Sequence, residues 1–66
     1  MKKRYKHNGE YLDIDFDLTG EVVDRVSEYD YSEIVEGIDQ HGQMWSGEAT
    51  LSAGEIIDIT CIEKEG

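Results

Sequence analysis

Three aspartates, Asp13, Asp15 and Asp17, alternate with Ile14, Phe16 and Leu18 in the stretch LDIDFDL. Carboxylates at the first, third and fifth positions open an EF-hand calcium loop, and Asp24 stands at the twelfth, where that loop ends on a carboxylate. The match stops there. The sixth position needs a glycine for its sharp turn and is Leu18, and a loop would leave Ile14 and Phe16 in water. A strand places the apolar residues on one face and the aspartates on the other, so the stretch reads as a half-buried strand. Metal binding through clustered carboxylates stays as an alternative function.

Nucleophilic chemistry would need Cys61 or a serine beside a histidine and an orienting acid. His7 and His41 are the two histidines, and each flanks or occupies a predicted turn. Cys61 lies in an apolar alternation and reads as a small core residue. The surplus of acid also disfavours its thiolate. The glycines near Trp45, in GQMWSGEATLSAG, come with no lysine and no strand-turn-helix setting, so they do not form a phosphate loop. No catalytic residue, metal ligand or cofactor is assigned, and the chain reads as a non-enzyme.

The densest acidic segment runs from Glu21 to Asp39: Glu21, Asp24, Glu28, Asp30, Glu33, Glu36 and Asp39, with Arg25 the one cation among them. With Tyr31 these are the candidate partner-binding residues. Carboxylates two residues apart on a strand stand about 6.6 Å from each other, a separation comparable to neighbouring phosphates of a nucleic-acid strand. Tyr11, Tyr29 and Tyr31 fall among the acids, open to solvent, and suit stacking with arginine. Trp45 reads as the largest piece of the core, and Tyr5 as half buried.

Positioning these residues takes a small β domain. Asn8-Gly9 between alternating segments predicts a type I′ hairpin with strands at about 2–7 and 10–18. In that register Tyr5 faces Leu12 and Lys3 faces Ile14 on one side. On the other side Arg4 faces Asp13 and Lys2 faces Asp15, which leaves Asp17 without a counterion. A second hairpin turning at His41-Gly42 would put Ile34, Ile38, Trp45, Ala49 and Leu51 on one face, with Glu36 awkwardly among them unless a bulge turns it out.

Ser52 to Glu55 matches a capping box, followed by a β-branched run that reads as a strand at 56–63 with Ile57, Ile59 and Cys61 inward. Residues 19–30 are open between a short helix, from Val22, Val26 and Tyr29 at helical spacing, and an extended segment. The expected fold is therefore mainly β: a small antiparallel sheet or barrel of about five strands, from two hairpins and a C-terminal strand, with α+β as the alternative.

Sixty-six residues hold one small domain. Leu, Ile, Val and Phe make up 15 of them, just above the level at which an acidic chain is disordered. One cysteine excludes an internal disulfide and fits a reducing compartment. The first residues, MKKRYKHNGEYL, lack the apolar stretch of a signal peptide, which predicts a soluble cytoplasmic protein. The net charge is −10, and after the basic start residues 8–66 carry sixteen acids against Arg25 and Lys64. Such a chain is repelled by nucleic acid and anionic membranes and attracted to basic proteins.

The short acidic chain, its Asn-Gly hairpin, its scattered tyrosines and the C-terminal GEIIDITCIEKE together resemble the small acidic accessory and inhibitor proteins of phages and mobile elements. The resemblance is one of style across the whole chain and carries over no functional residue. It implies a binding protein that blocks a host nucleic-acid-acting enzyme, in some cases as a DNA mimic. The expected partner is thus a basic protein surface, met by a monomer or weak homo-oligomer. A structural or assembly subunit pairing through a sheet edge is the other alternative.

Overall fold

The computed structural model describes all 66 residues. Five strands follow one another along the chain: β1 (Lys2–His7), β2 (Glu10–Arg25), β3 (Asp30–Ile38), β4 (Met44–Ser52) and β5 (Glu55–Lys64). They form one open antiparallel sheet in the order β1-β2-β3-β4-β5, with no helix. The mainly β expectation holds, and the open sheet replaces the barrel. Residues 19–25 continue β2 as a strand, residues 26–29 form the turn into β3, and no helix forms. Two irregularities in the β2–β3 ladder, between Leu18 and Val22 and between Val22 and Asp24, break the alternation around Val22, and Val26 and Tyr29 lie in the turn.

The first hairpin has the register its Asn-Gly turn dictates. Tyr5 pairs with Leu12, Arg4 with Asp13 and Lys2 with Asp15, and Asn8 and Gly9 both have positive φ, at 50° and 82°. The β4–β5 turn has the same geometry at Ala53 (51°) and Gly54 (80°), so the capping-box match at Ser52–Glu55 closes a hairpin and starts no helix. Alanine is a poor occupant of that left-handed position, where asparagine is at ease. Ala53→Asn is expected to stabilise the protein by about 1 kcal/mol, read as a rise of several degrees in Tm.

The second hairpin departs from expectation by one residue. Ile38 pairs with Met44, Gly37 with Trp45 and Val35 with Gly47. A shift of one reverses every side chain. Val35 is therefore buried, while Ile34 is only partly covered, Ile38 is exposed and Glu36 points to water. The strand β5 also departs: Ile57 and Cys61 are exposed, and Ile56, Ile59 and Ile62 face the core. Extra residues on β5 at Ile57 and at Cys61-Ile62 break the alternation twice, so the inward residues are not two apart.

The core consists of Leu12, Ile14, Phe16, Val35, Trp45, Ala49, Leu51 and Ile59. Its centre is a transverse row in which Gly37 separates Phe16 on β2 from Trp45 on β4, which leaves room for both rings. The sheet curls around this row. Tyr5 and His7 on β1 lie edge-on to Trp45, with ring centroids 5.7 and 5.1 Å away, although two strands intervene. At the rim, Lys3 Nζ reaches Asp58 Oδ1 on β5 at 3.7 Å. The two free edges thus approach through side chains and share no ladder.

Candidate functional site

The acidic run from Glu21 to Asp39 does not form one surface. Glu21, Asp24, Glu28 and Asp30 are exposed at the β2–β3 hairpin end. Tyr31 beside them is half buried against the core, not open to solvent, with the Arg25 guanidinium 5.0 Å over its ring. Glu33 is 6% exposed and turned inward, opposite Ala49. Its Oε2 accepts the Gly20 N–H at 2.9 Å and pins the irregular part of β2. Of the predicted binding residues, Glu33 and Asp39 are built into the fold, and burial takes both out of reach of a partner.

Asp39 is 7% exposed and holds the β3–β4 loop together. Its Oδ1 accepts the backbone N–H of His41 at 2.8 Å and of Gln43 at 3.0 Å, and its Oδ2 accepts Trp45 Nε1–H at 2.9 Å. Desolvation alone would raise its pKa. The hydrogen bonds from Trp45, Gln43 and His41, with the His41 charge, outweigh it and hold the carboxyl below its ordinary value of 3.8.

A carboxyl with a depressed folded pKa contributes stability above the unfolded pKa, and that contribution is lost as pH falls through the folded value. Asp39→Asn is expected to lower Tm at pH 7, with a gap to the wild type that narrows below about pH 4. Thermal melts of both proteins across that range check it. A gap as wide in acid as at neutrality would remove ionised Asp39 from the account.

The outer face of the sheet brings other acids together. Asp17 pairs directly with Glu36, Glu36 with Ser46 and Ser46 with Glu63, so one transverse row across β2 to β5 carries three carboxylates. Asp17, Glu36 and Glu63 are exposed, and none has a cation within ion-pair distance. Their neighbours differ. Arg4 Nε pairs with Asp13 at 3.2 Å, and the N-terminal ammonium, instead of Lys2, lies 3.5 Å from Asp15. Asp17 and Glu63 lie outside the acidic run, and only the strand register shows that they share a row with Glu36.

The next row on this face is Asp15, Ile38 and Met44. Ile38 and Met44, 49% and 37% exposed, lie beside Asp15, Asp17, Leu18 and Glu36 in a shallow groove of about 570 Å³. A second cleft, on the opposite side of the sheet, takes in His7, Glu10, Asp39, His41, Trp45 and Lys64. There His41 Nε2 stands 3.3 Å from Glu10 Oε2 and ties the first turn to the β3–β4 loop. Cys61 lines a third cleft beside Glu48 and Glu63, apart from both histidines. No three His, Cys, Asp or Glu side chains converge as metal ligands do, and no helix is long and apolar enough to cross a membrane.

What this arrangement offers chemically is a field of negative charge bordering an apolar strip. Comparison with protein-family models, with curated proteins and with solved structures finds no match to this chain.

Proposed function

We propose that this protein is a non-enzymatic binding protein that presents an acidic surface to a basic protein partner. Its most concrete form is an inhibitor of a host nucleic-acid-acting enzyme, blocking a basic groove as a DNA mimic would. The observation that carries this reading is the uncompensated row of Asp17, Glu36 and Glu63. Like charges directly opposite on a sheet destabilise it, by roughly 0.2–1 kcal/mol. Cations are at hand elsewhere on the molecule, so a row left without them fits a surface whose counterions arrive with a partner.

The partner surface is thus the outer face of β2 to β5, with the exposed acids Glu21, Asp24, Glu28 and Asp30 extending it at one end. Inhibition works by occupancy, needs no cofactor, and operates in the cytoplasm without contact to membrane or nucleic acid. The chain acts as a monomer or weak homo-oligomer. Lysines along β1 and the two bulges in β5 make both sheet edges poor templates for a further strand.

Electrostatic steering makes association fast and salt-sensitive. The test is capture from a host lysate at low salt, identification of a basic nucleic-acid enzyme eluted by salt, and its assay with the pure protein. The triple variant Asp17→Asn, Glu36→Gln, Glu63→Gln is expected to bind that enzyme about tenfold or more weakly at low salt. Affinity unchanged by the variant and by salt would sink the proposal.

A further inference from the structure

We infer that the groove beside the acidic row seats an aliphatic side chain of the partner, so that the preferred ligand is a basic amphipathic helix whose aliphatic stripe is flanked by lysine or arginine. The inference rests on the acidic-surface reading and narrows it, because a nucleic-acid mimic needs charge alone. Ile38 and Met44 pair directly across β3 and β4 and project together from the outer face. Both are exposed, and Leu18, 46% exposed, lies beside them in the groove.

Their surroundings select the occupant. Glu36 is two residues from Ile38 on the same strand face, about 6.6 Å away, and Asp17 faces Glu36 across the ladder. Both carboxylates lack cations, whereas Asp13 and Asp15 at the other side have theirs. An apolar strip with free negative charge along one border complements an aliphatic side chain with cations beside it. A neutral apolar segment would leave those carboxylates unpaired, and a second copy of this chain would bring more negative charge to them.

Three labelled helical peptides of equal length test this by fluorescence anisotropy: one of lysine and leucine, one with alanine in place of leucine, and one with glutamine in place of lysine. The lysine–leucine peptide is expected to bind about tenfold or more tightly than the lysine–alanine peptide, since one buried leucine supplies that difference. The variants Ile38→Ser and Met44→Ser, both at exposed positions, are expected to remove that preference, so that each binds the lysine–leucine and lysine–alanine peptides equally. Their melting curves show that they remain folded.

Equal binding of both lysine peptides would overturn the groove and leave the acidic surface standing. Failure of both to bind at low salt would overturn the two readings together. Tightest binding by the glutamine–leucine peptide, or a dimer of the protein alone that Ile38→Ser disperses, would also overturn the inference.

Discussion

Gly37→Ala is expected to cost about 3 kcal/mol or more and to leave much of the protein unfolded at 37 °C. A Cβ at this position would stand 2.5 Å from the carbonyl oxygen of Asp15 and 2.8 Å from Cγ2 of Ile14. The first contact is with backbone, so β2 and β3 would have to separate at the centre of the sheet. A domain of this length has only about 3–10 kcal/mol of total stability. Gly47→Ala is the matched comparison. Its nearest contacts are Ile59 Cγ2 at 3.1 Å and the Thr60 oxygen at 3.3 Å, and the side chain can give way. A cost of about 1 kcal/mol is expected there. Urea denaturation of both variants checks the contrast, and equal losses would contradict the close approach at Gly37.

Trp45→Ala is the second large effect, with an expected loss of about 3–5 kcal/mol. The indole is 2% exposed and holds three elements at once: Phe16's neighbour Gly37 beneath it, Tyr5 and His7 from β1 over it, and Asp39 at its Nε1. Its removal opens a cavity too large for the small side chains nearby to fill and frees the β3–β4 loop. Trp45→Phe keeps most of the apolar volume and breaks only the bond to Asp39, so it is expected to cost less than half as much. If the two substitutions were equally damaging, the hydrogen bond and not the packing would dominate at this site.

The first hairpin could be read from sequence residue by residue, because Asn8-Gly9 imposes one turn type and hence one register. The second could not. Its loop, residues 39–43, is set by the side chain of Asp39 capping backbone N–H groups, a contact that no dipeptide rule signals. A register one residue off exchanges Val35 for Ile34 and Ile38 and puts Glu36 in a core it never enters. In β5 the β-branched run correctly predicted a strand, but bulges at Ile57 and Cys61 erase the alternation on which inward and outward assignments depend.

The candidate site shows the same limit. A run of acids along the chain is visible in the sequence, yet two members of the run, Glu33 and Asp39, are spent on Gly20 and Trp45. The row Asp17, Glu36 and Glu63 joins residues far apart in the chain and exists only once the register is known. Asp17 stands out in the sequence by its lack of a counterion across the first hairpin, and that is the one signal of this row the sequence carries.

The order of the strands has a consequence for how the chain finds its fold. Every ladder joins consecutive strands, so each pairing closes only a short loop, and loop-closure entropy grows with loop length. Assembly can proceed hairpin by hairpin without bringing distant segments together first. Among the contacts that span the sequence widely are those of Tyr5 and His7 with Trp45, of His41 with Glu10 and of Lys3 with Asp58. They hold the sheet in its curl, while the consecutive ladders give an all-β chain a lower contact order than sandwiches with crossed connections.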